Sequence, residues 1–254
     1  MDFATHVYLL LFLVGLCAGL VDAIAGGGGI ISLPILLNLG MPASLALGTN
    51  KLQSSFGAVM AVSRYARHGL LDRRACRTGV LATLVGALAG AATVQSVNPR
   101  FLEAAIPWLL AAIVIYTLAR PQFGEHDHPP RFATGVFFTA FGLGLGFYDG
   151  FFGPGTGSFW TIALIGLQGQ NFLKATAYTK VMNATSNLAA LALFAVGGQL
   201  HLAAGLTMGA GQLIGARLGV SLAVKRGARF VRPVFLTMVT LVMLRLIYVH
   251  LTRA

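Results

Sequence analysis

Apolar residues fill this chain in long stretches separated by short polar gaps, and most stretches have the length of a membrane span. Residues 7–25, 44–63, 78–97, 101–118, 132–151, 172–197, 202–224 and 234–249 each come close to the about 20 apolar residues that cross a hydrocarbon core about 30 Å thick. Two shorter runs, 30–39 and 158–167, each follow a cluster of glycines. At about 1.5 Å rise per residue such a run reaches only about 15 to 20 Å, which predicts half-helices or re-entrant pieces. The pattern predicts an all-α polytopic membrane protein of eight full spans, or ten segments with the short pieces counted.

Composition agrees with lipid as the solvent. Of the 254 residues, 56% are apolar and 10% are charged, where a soluble domain carries roughly a quarter charged. The net charge of +11 does not indicate nucleic acid, because the basic residues sit in a few gaps between apolar runs. Met1 to His6 carries one acid and neither Lys nor Arg, so the first apolar run is expected to be retained, not cleaved as a signal peptide. Cys17 and Cys76 fall in different environments and imply no disulfide framework. His126 and His128, beside Glu125 and Asp127, read as a solvated loop and not a metal site, and no cofactor is expected.

The most polar break, RPQFGEHDHPPR at 120–131, divides the chain into two similar halves, 1–119 and 132–254. Asp22, Gly26 and Gly28 align with Asp149, Gly153 and Gly155 at an offset of 127 residues. Thr49, Gln53 and Ser55 meet Thr179, Asn183 and Thr185 at 130, and Gly86 and Gly90 meet Gly215 and Gly219 at 129. Charge gives the orientation. The gap 64–77 holds five arginines and its counterpart 197–201 none, whereas 96–100 holds one and its counterpart 225–232 holds Lys225, Arg226, Arg229 and Arg232. Since Lys and Arg in short loops mark the cytoplasmic side, equivalent loops should lie on opposite faces. That predicts two inverted-topology repeats of about five segments each, the linker and basic loops cytoplasmic, the termini periplasmic.

Each half places an acid before its glycine break: Asp22 before Gly26, Gly27, Gly28 and Gly29, Asp149 before Gly153, Pro154, Gly155, Thr156 and Gly157. Irregular backbone at membrane depth survives only where protein or a wet cavity satisfies it, so a cavity between the repeats is expected. The helix after each break begins with free N–H groups that attract an anion. No Gly-Lys-Ser/Thr follows, which argues against a phosphate-binding P-loop. A polar stripe then opens a long helix in each half. Thr49, Asn50, Lys51 and Gln53 form one, with Thr49, Gln53 and Phe56 on one face; Thr179, Lys180, Asn183 and Asn187 form the other. Lysines at such depth need a partner or a purpose, and Lys51, expected on the outer side, is the stronger functional candidate. Asp22 and Asp149 are candidates for carrying a coupling proton or for capping the turn. Arg217 is a further candidate for a buried charge, while Gly86, Gly90, Gly215 and Gly219 have the spacing of close helix packing.

Through the Asp22 break, the stretch Gly48-Thr49-Asn50-Lys51, the stretch from Tyr178-Thr179-Lys180 to Asn187 and the duplicated layout, the chain resembles the TauE/SafE sulfite-exporter family over essentially its whole length. These proteins are also called TSUP permeases and include YfcA-like proteins. The resemblance implies a bacterial inner-membrane permease for a sulfur-containing oxyanion such as sulfite or an organosulfonate. Pro154 and Thr156 stand in the second break where the first has plain glycine, so the two half-sites are not expected to bind alike. An alternating-access anion transporter, with protons as the coupling ion, is the leading expectation, and a homo-oligomer is compatible with it. The competing readings are an intramembrane hydrolase using Ser158 and His201, and a passive channel or scaffold.

Overall fold

A computed structural model describes residues 3–98, 127–227, 233 and 237. The spans expected at 101–118 and 234–249, Arg229, Arg232 and the linker before Asp127 lie outside the described elements. All eight described elements are helices: α1 Thr5–Ala25, α2 Gly28–Asn38, α3 Ala43–Arg67, α4 Arg73–Ser96, α5 Thr134–Phe151, α6 Thr156–Gln168, α7 Phe172–Val196 and α8 Leu202–Arg226. Thr5–Ile24 and Cys76–Ser96 alone have both the length and the apolarity of a membrane span when each helix is taken by itself. Helices α3 and α7 fall short of that because their buried faces carry polar side chains, as in α3 from Thr49 to Ser55 and in α7 from Thr176 to Asn187. The short helices α2 and α6 have 11 and 13 residues.

Each break is made by glycine. Gly27 and Gly155, at φ 99° and 84°, cap α2 and α6 in the left-handed region, where a β-carbon is strained. The chain then folds back: Leu11 and Val14 of α1 share a core with Leu33 and Leu36 of α2. This core is completed by Met41, Ala46, Phe152, Phe194 and Met208, drawn from both halves. A second core gathers Phe137, Phe138, Trp160, Leu164, Tyr178 and Met182.

The first helix of each half packs on the fourth helix of the other. Along α1 and α8, Gly15 meets Met208, Gly19 meets Gln212 and Gly215 meets Leu16 and Leu20, so the two helices run parallel. Along α4 and α5, Gly86 meets Leu143, Gly90 meets Phe147 and Gly150 meets Ala87, again in parallel. The equivalent helices α3 and α7 run in opposite directions, since Gly48 touches Phe194 at one end while Ala61 and Tyr65 join Ala177 at the other. Hydrogen bonds repeat across this arrangement. His201 N–H donates to Thr49 Oγ1 and Asp72 N–H to the Tyr178 hydroxyl, and Asp72 and His201 are the N-caps of α4 and α8. Ser32 bonds Asn50 as Thr161 bonds Thr179. These pairs hold one offset of 129 residues, which revises the 130 read from the sequence for the polar stripes: Asn50 is the counterpart of Thr179, and Ser54 of Asn183.

The basic residues gather at one end of the bundle. Arg64 donates to Ser221 near the end of α8, and the turn between α3 and α4 meets Tyr178 beyond Lys174. The opposite end carries Phe3 stacked on His201. Arg217, expected to be buried, is exposed on α8 beside the exposed Ile214 and Leu218.

The glycine seams leave no room for a side chain. A Cβ on Gly215 would lie 2.0 Å from Leu16 O, and one on Gly90 2.0 Å from Phe147 O. Backbone cannot yield as a flexible side chain does. Gly215→Val should destabilise the fold by about 3 kcal/mol, read as a lowered Tm in detergent. Gly144→Ala, where nothing lies within 4 Å, should leave Tm unchanged.

Candidate functional site

The two breaks touch. A Cβ on Gly26 would come within 2.8 Å of Gly157 C, and one on Gly29 within 3.5 Å of Pro154 Cα, so the starts of α2 and α6 are brought together. Around this contact lies a cavity of about 20 Å³, lined by Asp22, Gly27, Gly29, Asn50, Lys51, Ser54, Asp149, Gly153, Gly155, Gly157, Asn183 and Asn187. A space of that size holds about one water.

Two ion pairs lie at the cavity, and both join one half to the other; Lys51, Asp149 and Asp22 line it, while Lys180 stands behind Asp22. Lys51 Nζ of α3 lies 2.6 Å from Asp149 Oδ1 of α5, with side chains 1% and 5% exposed. Lys180 Nζ of α7 lies 2.9 Å from Asp22 Oδ2 of α1, with side chains 0% and 13% exposed. The surroundings of the pairs differ. Lys51 also donates to the main-chain oxygen of Asp149, and Asp149 receives the Ser186 hydroxyl. Asp22 Oδ1 accepts from Gly27 N–H at 3.1 Å and Gly28 N–H at 3.2 Å, while Lys180 meets Asp22 off the hydrogen-bonding angle. Lys180 thus has the Asp22 carboxylate as its single acceptor among the described residues, where Lys51 has two. Ser158 Oγ and Asn183 Oδ1 are buried without a hydrogen-bond partner among the described residues. The start of α2 is already occupied by its own carboxylate. At the start of α6 the Thr156 and Ser158 N–H groups donate to Gly153 O and Gly155 O, and among the described residues no carboxylate folds back onto it.

The sequence profile of the family described as Sulfite exporter TauE/SafE matches residues 11–246. The chain belongs to this family. It is 40% identical over 248 residues to a Haemophilus influenzae protein named "Probable membrane transporter protein", covering 98% of this chain and 97% of that one. The Escherichia coli K12 protein named "Probable membrane transporter protein YfcA" is 39% identical, with 94% and 88% covered. A Sinorhizobium protein named "Probable membrane transporter protein ORF9" is also 39% identical, with 97% and 94% covered. No solved structure matches the chain. Membership in a family of membrane transporters agrees with the helical fold and identifies the chain as an integral membrane protein.

Within this family member the candidate residues separate into two groups. Gly27, Asn50, Lys51, Gly153, Gly155, Asn183 and Asn187 line the cavity with Asp22 and Asp149. Gly26 and Gly28 stand just behind it in the break. Lys180 stands behind the lining on Asp22, and the remaining four serve the scaffold around it. Gln53 Nε2 bonds Ser32, Asn50 and Ser54, Thr49 takes the His201 amide, Thr179 bonds Thr161, and Thr156 caps back onto Gly153 O. Sequence reasoning missed Gly29, Ser54, Gly157 and Ser186. Ser54 would have followed from the 129 offset as the counterpart of Asn183. Ser158 and His201 are not drawn into one site: Ser158 adjoins Gly27, whereas His201 stacks on Phe3 and accepts from Ala204 N–H through Nδ1.

Removing one partner of a buried ion pair strands the other charge. Lys51→Met should cost about 3 to 5 kcal/mol by denaturation in detergent. The double variant Lys51→Met with Asp149→Leu, which removes both charges, should recover much of that loss.

Proposed function

We propose that the protein is a secondary transporter of the bacterial inner membrane for a small sulfur-containing oxyanion, such as sulfite or an organosulfonate. It works by alternating access between two inverted repeats, coupled to protons. The basic end of the bundle is the cytoplasmic end. The observation that carries this reading is the pair of reciprocal Asp–Lys contacts closing a water-sized cavity where two interrupted helices meet.

The chemistry follows from the charge count. Two carboxylates and two ammonium groups sum to zero, so the resting cavity is neutral and tolerable at membrane depth. An entering oxyanion meets Asn183 and the start of α6, which no carboxylate occupies, with Lys180 and Ser158 just behind the lining. It exceeds the space of one water, so the halves must part to admit it. Because each lysine is bound by the opposite half, weakening those contacts loosens the halves from one another. One added negative charge leaves the cavity at minus one, and a proton taken up with the anion restores neutrality. Anion and proton moving together then cross the membrane as a neutral set. The order of events, binding before closure on the other side, is the population shift that alternating access requires.

Liposomes containing the purified protein should accumulate labelled sulfite or a small sulfonate when a pH gradient is imposed, with saturation and counterflow. Lys180→Ala should reduce uptake by at least about a hundredfold, as expected when a buried charge-assisted contact to the ligand is lost. Folded protein that moves no sulfur oxyanion in either direction would sink the proposal, and flux that neither saturates nor shows counterflow would indicate a channel.

A further inference from the structure

The two ion pairs hold equivalent places, yet their carboxylates meet different kinds of partner. Asp22 is surrounded by Gly27 N–H, Gly28 N–H and the Lys180 ammonium. All three are donors with nothing to accept. A proton on Asp22 has no acceptor among the described residues, and Lys180 has no acceptor there besides Asp22.

Asp149 is set differently. Its Oδ2 receives the Ser186 hydroxyl, and the same hydroxyl lies 3.0 Å from Met182 O and 3.2 Å from Asn183 O. A hydroxyl both donates and accepts. With a proton on Asp149 Oδ2, that O–H donates to Ser186 Oγ and the serine hydrogen turns to Met182 O. Lys51 is not stranded either, because its ammonium retains the main-chain oxygen of Asp149. At the 129 offset the counterpart of Ser186 is Gly57, so the first half lacks this hydroxyl. The space over Gly57 is filled by Gln212, whose Nε2 would lie 2.7 Å from a Cβ placed there.

From these contacts the geometry points to a division of labour between the two pseudo-symmetric acids: Asp149 takes up and releases the coupling proton, with Ser186 as its positioning residue, while Asp22 stays a fixed anion. This inference rests on the transport reading above and assigns its proton to one carboxyl. The groups facing Asp149 are Lys51 from α3, Ser186 from α7 and, on its own helix, Tyr148, whose hydroxyl donates to Pro154 O, while α4 presents the uncharged Ala87 to the neighbouring Gly150. Asp22 and Lys180 complete the charged groups around the cavity. One O–H bond forms on Asp149 Oδ2 with a proton from water on the open side and breaks by return to water on the other.

The test reads the proton without any substrate. Protein carrying ¹³C-carboxyl aspartate is titrated in lipid while the infrared band of the protonated acid is recorded. The difference between the unmutated protein and Asp149→Asn isolates this carboxyl from water-exposed aspartates such as Asp72 and Asp127. A reversible band should vanish in Asp149→Asn, be replaced by an unlabelled one in Asp149→Glu, and persist in Asp22→Asn. If Asp22→Asn does not fold, the two Asp149 variants decide. An unchanged titration in Asp149→Asn, or loss of the band in folded Asp22→Asn, overturns the assignment. In liposomes, sulfite accumulation driven by a pH gradient should fall at least about tenfold in Ser186→Ala and return in Ser186→Thr. Full accumulation in Ser186→Ala overturns the role of the hydroxyl. If the unmutated protein moves no sulfite, the transport reading fails by itself, since the infrared titration still decides where the proton binds.

Discussion

Neither half of this protein can bury its own charges. Lys51 needs Asp149, and Lys180 needs Asp22, each from the opposite half. An ionised side chain at the centre of a membrane helix costs at least about 2.5 kcal/mol, and more where no partner or water relieves it. The halves are consequently obligate partners, and the contacts that join them are the contacts that define the cavity. Whatever loosens an ion pair loosens the assembly at its centre. In the proposed cycle, binding chemistry would thereby act on domain motion without a separate signalling element.

The glycine seams make those ion pairs geometrically possible. With Gly15 and Gly19 against α8, and Gly86 and Gly90 against α5, helix backbones meet directly instead of being spaced by side chains. That close approach holds α1 and α5 so that the breaks following them, at Gly26 and Gly153, face one another. Larger residues along the seams would push the breaks apart, and the short side chains of Asp22 and Asp149 would no longer reach lysines on the opposing half. Small residues far from the cavity thus set distances within it. The polar stripes of α3 and α7 then supply a hydrogen-bonded wall, in which Asn50 and Gln53 of α3 bond each other and Ser32 of α2.

Much of this was legible in the sequence, for identifiable reasons. Glycine runs inside apolar stretches marked both breaks to within two residues, because lipid leaves irregular backbone few other uses. The helix ends of α7 and α8 followed from hydropathy alone. Three features escaped. The partners of Asp22 and Asp149 are remote in sequence, so pairing with lysines of the other half could not be read from local spacing. The face of α3 was assigned one residue out of register, because Thr49 and Thr179 look alike while the hydrogen bonds match Asn50 with Thr179. Lys51 was preferred over Lys180 on grounds of membrane sidedness, yet Lys51 is held by both the carboxylate and the main chain of Asp149, leaving Lys180 the less committed cation.

The departure from symmetry traces to the second break. Asp22 precedes Gly27, the N-cap of α2, by five residues, whereas Asp149 precedes Gly155, the N-cap of α6, by six. The shorter connection lets the Asp22 carboxylate turn back onto the amides of Gly27 and Gly28 and close that helix start. With one more residue, and with Pro154 in the break, Asp149 turns to Lys51 and Ser186 instead of back onto the amides that start α6. One insertion accordingly has two effects. It takes the carboxylate off the start of α6, and it sets that carboxylate beside a hydroxyl. A perfectly symmetric pair of breaks would turn both carboxylates onto their helix starts or neither. In the proposed transport reading, the unequal pair separates the place for an anion from the place for its compensating proton within a single small cavity.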